Sequence, residues 1–208
     1  MKNALLLILV SVFSLLTDAQ NTGTIYRIRS ASPTGENKYV TVMDNSLSSP
    51  VELADRDESN KNQLWALVAP QGLDNGCAFY SLGTRMSIDM APTETKNRYK
   101  LLQWKSKFDQ NQMFQIHSPG IAGSAVQLLS NADPTRVLTK RDDFTLWMDQ
   151  DLSSQDTYFE LEEVMDYKEV NFPVPYVSYN IISYMHDTRL SNRLSKENDA
   201  PIYSDPAE

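Results

Sequence analysis

Three copies of one short motif constrain this chain more than any other feature of its sequence. The motif Asn62-Gln63-Leu64-Trp65 returns 49 residues later as Asn111-Gln112-Met113-Phe114. It returns more faintly, 45 residues after that, as Asp156-Thr157-Tyr158-Phe159. A period of about 20–50 residues usually marks one supersecondary unit that has been copied along the chain. Three such units account for most of the 208 residues.

The segments between the motifs have the pattern of short β-strands. Apolar and polar residues alternate, as in 25–28 and 39–43, and turn residues separate these segments every ~8–12 residues. Each unit contains four such segments, which predicts twelve strands. Because one unit cannot bury its apolar face alone, three units are expected to share one core around a pseudo-threefold axis. The pattern therefore predicts an all-β fold of three four-stranded repeats.

These repeats resemble the ricin-B type of β-trefoil lectin. The resemblance rests on the Gln-x-Trp signature preceded by Asn, on an Asp that ends a strand one segment earlier, and on the three copies. It covers Thr24 to about Val164. The first copy is complete, the second has Phe114 in place of Trp, and the third keeps only an aromatic residue. The resemblance implies that the Trp lies in the shared core and that the Gln ties down a neighbouring loop.

The N-terminus has the pattern of a secretory signal peptide. Lys2 precedes an apolar run from Ala4 to Leu16, and the small residue Ala19 closes a plausible cleavage site. A membrane anchor is the alternative, but the run is shorter than the ~20 apolar residues that span a bilayer. We therefore expect a signal peptide over 1–19, a secreted or cell-envelope location, and a β-trefoil domain over 20–164.

The sequence changes character after Val164. The stretch 165–178 contains Phe172-Pro173-Val174-Pro175 and is expected to be an extended linker. Residues 179–208 resemble the first strands of another repeat. Three interpretations of this C-terminal extension stay open: a fragment of a second trefoil, a strap that packs on the first domain, or a disordered terminus.

Charge and composition exclude several kinds of partner. The net charge of −8 and the pI near 4.8 argue against nucleic acid and anionic membranes, which bind clustered Lys and Arg. The single cysteine, Cys77, is expected to be a buried small hydrophobe. Neither a metal nor a cofactor is predicted, since His117 and His186 form no zinc motif and 55–66 lacks the Gly and Glu of a calcium loop.

The second unit has the best set of residues for binding a sugar. Sugars present hydroxyl groups on one rim and apolar C–H patches on their faces, so binding needs carboxylate or amide groups beside an aromatic platform. The resemblance places these groups at Asp89, Trp104, Asn111 and Gln112. The loop from Trp104 to Asn111 is about two residues shorter than in the family pattern. A core position is the alternative for Trp104.

The other two units retain less of this pattern. The first keeps Asp44, Asn62 and Gln63 as a weaker second site, but without an aromatic platform. The third keeps Trp147 but has Thr139 where the Asp belongs.

The sequence thus predicts a non-catalytic, lectin-like protein that binds glycans or glycoconjugates, with galactose-like sugars implied by the resemblance alone. No nucleophile elbow or phosphate loop supports an enzyme. Two alternatives stay open. One is a protein–protein interaction or inhibitor module on a trefoil scaffold, and the other is an accessory domain of a larger toxin or enzyme.

Overall fold

The computed structural model describes residues 24–70, 76–92, 99–118 and 125–166, together with residue 175 and the short segments 182–183, 188–191 and 203–206. The predicted signal peptide and nearly all of the predicted linker lie outside the described residues.

Twelve antiparallel strands form one sheet in the described part of the chain. They are β1 Thr24–Ser30, β2 Lys38–Val42, β3 Val51–Asp55, β4 Trp65–Val68, β5 Ala78–Ser81, β6 Ser87–Pro92, β7 Tyr99–Trp104, β8 Phe114–His117, β9 Ala125–Ser130, β10 Val137–Lys140, β11 Leu146–Asp149 and β12 Phe159–Asp166. The sheet closes on itself because β1 pairs with β12 along its whole length. The predicted all-β fold is confirmed.

A short 3-10 turn precedes the last strand of each unit. These turns are Lys61–Gln63, Gln110–Gln112 and Gln155–Thr157. The residue just before each turn caps it: the side chains of Asn60, Asp109 and Ser154 each accept a hydrogen bond from the backbone N–H two residues later. Such capping satisfies a backbone N–H at the start of the turn. The three motif copies therefore share one local structure despite their different sequences.

The core collects the inward-facing apolar side chains of all three units. Trp65, Phe114 and Phe159, the aromatic residues that end the three motifs, are each no more than 1% exposed. The Trp65 indole N–H donates to the Val40 carbonyl at 2.9 Å, so its one polar atom is satisfied. Cys77 is also buried, and burial raises the pKa of its thiol to about 12. It behaves as the small hydrophobe expected from the sequence.

One backbone hydrogen bond recurs at each junction between units. The donor is the backbone N–H of the residue that directly follows a unit's first strand. The acceptor is the carbonyl of the third residue in a motif copy. The three bonds are Ala31 to Tyr158 at 2.9 Å, Leu82 to Leu64 at 3.0 Å, and Asn131 to Met113 at 3.0 Å, with the N–H named first.

A separate three-stranded antiparallel sheet follows near the C-terminus. Its strands are β13 Ile182–Ser183, β14 Thr188–Ser191 and β15 Tyr203–Pro206. They pair in chain order, β13 with β14 and β14 with β15. In the described part of the chain, no helix has the length and apolar character needed to cross a membrane.

Candidate functional site

Gln112 holds the connection between β7 and the second 3-10 turn. Its side chain is fully buried. The amide nitrogen donates to Asp89 Oδ2 at 2.9 Å and to the Lys105 carbonyl at 3.0 Å. The amide oxygen accepts from the backbone N–H groups of Lys107 and Phe108, both at 2.9 Å. Both donors and the acceptor of the carboxamide are therefore engaged, so Gln112 positions its neighbours and has little capacity left for a ligand.

Asp89 lies on the outward face of β6. Its neighbours Ile88 and Met90 belong to the core, and side chains alternate along a strand, so the carboxylate faces away from that core. Gln112 engages one carboxylate oxygen, while the other has no hydrogen-bond partner among the described residues. Desolvation raises the pKa of Asp89, and the Gln112 hydrogen bond partly offsets this rise. Asp89 therefore offers one free acceptor.

Trp104, at the end of β7, shares this face with Asp89. Asp89 pairs with Leu102, and Ser87 pairs with Trp104, which makes Asp89 and Trp104 diagonal neighbours. Diagonal pairs are within reach of a large aromatic side chain. Trp104 is half-buried and is not a member of the buried core. The register therefore puts Trp104 and Asp89 on the same face of the β6–β7 pair.

Asn111 stands directly before Gln112 in the second 3-10 turn and is exposed. Its backbone N–H donates to Asp109 Oδ1 at 3.2 Å, which fixes the turn. Its side-chain carboxamide has no hydrogen-bond partner among the described residues. In the second unit, Gln112 therefore links the 3-10 turn that contains Asn111 to Asp89 of β6, and Trp104 is a diagonal neighbour of Asp89.

The first unit uses the equivalent groups internally. Gln63 donates to Thr41 Oγ1 at 3.0 Å and to the Asp55 carbonyl at 2.7 Å, and accepts from the Asp57 N–H at 3.0 Å. Thr41, and not Asp44, is therefore the counterpart of Asp89. The pairing of Asp44 with Asp89 that the sequence pattern favours is three residues out of register.

The remaining first-unit residues are also engaged. Asn62 donates to the Val42 carbonyl at 3.2 Å and to Asn45 Oδ1 at 3.3 Å. Asp44 accepts from the backbone N–H and the hydroxyl of Ser46 through one oxygen. These bonds lower the pKa of Asp44. These hydrogen bonds tie the β2–β3 loop to itself and to the first 3-10 turn.

The third unit ties its loop in a different way. Gln127 of β9 donates to Thr157 Oγ1 at 2.8 Å and to the Leu152 carbonyl at 2.7 Å. The Trp147 indole N–H donates to Thr145 Oγ1 at 2.9 Å, and the Lys100 ammonium lies 5.1 Å from the centre of the Trp147 ring. The Lys100 ammonium therefore occupies space beside the Trp147 ring.

A polar cleft of about 440 Å³ lies in the third unit. Its lining residues are Thr139, Lys140, Arg141, Asp142, Asp149, Gln150, Asp151, Ser154 and Asp156. Asp149 pairs with Arg141 at 2.6 Å, and Asp156 lies 3.4 Å from the buried ammonium of Lys140. No aromatic residue lines the cleft, so it lacks the platform that a sugar face needs. Among the described residues, no three His, Cys, Asp or Glu side chains are grouped to hold a metal ion.

A small pocket of about 50 Å³ opens beside Asn111. Its other lining residues are Met90, Tyr99, Ser130, Ala132, Asp133 and Arg136. The sequence pattern does not predict this pocket, because its walls come from two different units, which a motif search treats separately. The sequence does contain the aromatic residue Tyr99 in the second unit and the cation Arg136 in the third, but it does not show that they meet.

The comparisons with known proteins agree on the fold. No protein-family model matches the sequence, and no curated protein resembles it. The designed threefold-symmetric protein ThreeFoil matches with a TM-score of 0.58 at 14% identity, over 67% of this chain and 99% of its own. The BEL β-trefoil matches with a TM-score of 0.56 at 15% identity, over 69% and 95%. Such low identities show a β-trefoil fold and nothing finer.

Larger proteins match over part of their length. A mosquitocidal holotoxin has a TM-score of 0.60 at 15% identity, covering 90% of this chain but only 28% of its own. The Polyporus squamosus lectin, solved with a sialylated galactose epitope, has a TM-score of 0.57 at 16% identity, over 69% and 50%. A galactanase from Clostridium thermocellum and an endo-β-galactosidase from Clostridium perfringens also match, over 30% and 33% of their chains. The fold therefore occurs both alone and as one part of larger proteins.

Proposed function

We propose that this chain is a non-catalytic carbohydrate-binding protein with one sugar site in the second unit. Asp89 and Asn111 hydrogen-bond the sugar hydroxyls, Trp104 stacks on the sugar face, and Gln112 holds Asp89 in place. The ligand is a glycan or glycoconjugate with a galactose-like terminal sugar. Asp44, Asn62 and Gln63 form at most a weaker second site.

The observation that carries the proposal is the difference in free polar groups between the units. Asn111 and one oxygen of Asp89 lack partners among the described residues, and the half-buried Trp104 is a diagonal neighbour of Asp89. The corresponding Asn62 and Thr41 are engaged within the protein. Unpaired polar groups beside an aromatic surface suit a sugar, which offers hydroxyls and C–H patches together.

The structural neighbours support the same function at the level of the fold. They include lectins, among them the agglutinin of Rhizoctonia solani. The neighbours also include glycosidases, and one fold can host different functions. That this chain is non-catalytic is therefore part of the proposal.

The proposed architecture is three four-stranded repeats related by a pseudo-threefold axis, followed by a C-terminal extension that starts another repeat. The recurring junction hydrogen bonds and the match to ThreeFoil support the symmetry. Of the extension, the structure describes residue 175 and the short strands β13, β14 and β15. The proposed export rests on the signal peptide pattern of 1–19.

The test is a glycan array followed by calorimetric titration of the best ligand. Asp89→Ala and Trp104→Ala are each expected to weaken binding at least tenfold, about the effect of losing one charged hydrogen bond or one stacking platform. Both positions are only partly buried, so unfolding curves should remain cooperative. Asp44→Ala removes a first-unit carboxylate that does not correspond to Asp89, and this variant should bind nearly as the parent protein does.

Retained binding in both Asp89→Ala and Trp104→Ala would contradict the assigned site. Loss in Asp44→Ala alone would move the site to the first unit. If no glycan binds the parent protein, the lectin function fails, and a pull-down insensitive to free sugars would then favour a protein partner.

A further inference from the structure

The β4–β5 pair, which joins the first unit to the second, has an apolar outer face. Core residues alternate along these strands with residues that face away from the shared core. The four outward residues are aliphatic or aromatic at β4–β5, whereas the four at β12–β1 are all charged and those at β8–β9 are mostly polar. As facing pairs they are Ala66–Tyr80 and Val68–Ala78, then Glu160–Arg29 and Glu162–Arg27, then Gln115–Leu129 and His117–Gln127. The outer faces of the three equivalent strand pairs therefore differ in chemistry.

The outer face of β4–β5 is buried, since its four residues are between 0% and 7% exposed. They belong to a second cluster of buried side chains, separate from the shared core. Phe108 packs against this outer cluster from residues 105–109, the connection between β7 and the second 3-10 turn. The charged residues of that connection are exposed, whereas Phe108 is partly buried. Phe108 therefore anchors the connection to the outer cluster.

The backbone of Phe108 is held in an uncommon conformation. Its φ of 54° lies in the left-handed region, which bulky residues rarely adopt. Such a conformation persists only where the surrounding structure fixes it. Two contacts do so here: the side chain packs on the outer cluster, and the backbone N–H donates to Gln112 Oε1 at 2.9 Å. The N–H of Lys107 donates to the same oxygen, also at 2.9 Å. The connection thus directs two adjacent N–H groups at one amide oxygen.

This amide oxygen belongs to the side chain that holds Asp89. With its oxygen fixed by the connection, the Gln112 carboxamide has one orientation, in which its nitrogen donates to Asp89 Oδ2 at 2.9 Å. Without the two N–H groups, the carboxamide would be free to rotate and to turn its oxygen toward the carboxylate. That arrangement is repulsive, because both groups are acceptors. The position of Phe108 is therefore linked to the Asp89 carboxylate through one side chain.

We infer that Phe108 is a positioning residue of the proposed sugar site. Its ring fastens the 105–109 connection to the outer cluster, the connection orients the Gln112 carboxamide, and the carboxamide holds Asp89 for a sugar hydroxyl. The inference rests on the proposed carbohydrate-binding function and adds a residue that acts through Gln112. Phe108 is not part of the Gln-x-Trp pattern, and its anchor lies on strands that are distant along the chain.

The experiment titrates the full chain and its Phe108→Asn and Phe108→Leu variants with galactose, or with the best glycan of the array if galactose does not bind. Asparagine adopts the left-handed region readily, so Phe108→Asn suits the backbone and removes the apolar anchor. This variant should bind the sugar at least about threefold more weakly, which is part of the loss expected for one charged hydrogen bond. Phe108→Leu keeps an apolar anchor and should bind within about twofold of the parent.

A second measurement follows the connection without any ligand. Hydrogen exchange of the Lys107 N–H is compared with that of the slowest core amides in the same sample. The relative rate should rise at least about tenfold in Phe108→Asn and stay unchanged in Phe108→Leu, because loss of the anchor permits local opening.

The matched control is Val68→Ala, which trims a residue of the same outer cluster on β4, outside the connection. It should lower the overall stability, because it leaves a small cavity in a buried cluster. Its sugar affinity and its relative Lys107 exchange should both stay within about twofold of the parent values.

The outcomes separate this inference from the function on which it rests. If the parent binds a sugar and Phe108→Asn binds it equally well, the positioning role is refuted while carbohydrate binding stands. Unchanged relative Lys107 exchange in Phe108→Asn refutes it independently of any ligand. Equal losses of affinity in Phe108→Asn and Val68→Ala also refute it, because they would reflect general destabilisation. Absence of binding to galactose and to the whole array removes both the function and the positioning role.

Discussion

The first and second units tie the same loop with a buried glutamine but place different groups opposite it. Gln63 meets the hydroxyl of Thr41, whereas Gln112 meets the carboxylate of Asp89. In both units the amide also reaches a carbonyl at the end of the third strand, Asp55 in one and Lys105 in the other. Both units thus tie the loop with the same hydrogen-bond geometry. They differ in the group that the glutamine meets, a hydroxyl in the first unit and a carboxylate in the second.

This difference separates the role of the motif from the role of the site. The complete motif of the first unit engages Asn62 with Val42 and Asn45, so its polar groups serve the fold. The altered motif of the second unit leaves the Asn111 carboxamide without a partner among the described residues. A complete motif therefore indicates good packing of its unit. The candidate site is indicated instead by polar side chains that have no hydrogen-bond partner among the described residues.

The largest expected effect tests the packing role. Trp65→Ala removes a fully buried indole and its bond to the Val40 carbonyl, and should lower the free energy of unfolding by about 4 kcal/mol. Phe114→Ala in the second unit should cost about 3 kcal/mol, since a smaller ring is lost and no polar bond is broken. Urea unfolding at pH 7 measures both.

The control for this pair is Met43→Ala, because Met43 is 47% exposed. It should change the free energy of unfolding by less than about 0.5 kcal/mol. A Trp65→Ala loss as small as that of Met43→Ala would show that the shared core does not depend on the motif aromatic residues.

The next effect separates the two glutamines. Gln112→Glu places a second carboxylate against Asp89 in a buried position and should cost about 3 kcal/mol at pH 7. Gln63→Glu meets only the Thr41 hydroxyl and a carbonyl, so it should cost about 1–2 kcal/mol. The gap should narrow near pH 4, where either Asp89 or the introduced carboxyl group binds a proton and the like-charge repulsion is relieved. Equal losses at pH 7 in urea unfolding would mean that the Asp89 carboxylate does not distinguish the two turns.

The fold and the residues of the second unit follow from local sequence patterns. Period-two alternation predicts the strands, and the same alternation places Asp89 opposite to the core residues Ile88 and Met90. The family resemblance of the motif implies the burial of Trp65, and the structure confirms it. These features depend on neighbours along the chain or on a repeated element, so a sequence contains enough information to predict them.

The remaining features depend on contacts between segments that are distant along the chain. Asn62 is engaged because Val42 and Asn45, 20 and 17 residues earlier in the chain, accept hydrogen bonds from its side chain. The register error that paired Asp44 with Asp89 has a similar cause. Both Asp44 and Thr41 lie near the end of β2, and only the hydrogen bond from Gln63 identifies the counterpart. Loop lengths and side-chain partners of this kind are not encoded in any one segment.

The smallest expected effect uses pH to compare the two aspartates. Desolvation raises the pKa of Asp89 above 3.8, so its stabilising contribution is full below pH 3.8 and is lost as the pH rises through the folded-state pKa. Hydrogen bonds from Ser46 lower the pKa of Asp44, so its contribution is present above pH 3.8 and is lost as the pH falls through the depressed value. Between acidic and neutral pH, Asp89→Asn should therefore gain stability relative to the parent as the pH rises, and Asp44→Asn should lose it. Thermal unfolding from pH 3 to pH 7 measures the two differences, and slopes of the same sign would show that burial does not set the Asp89 pKa.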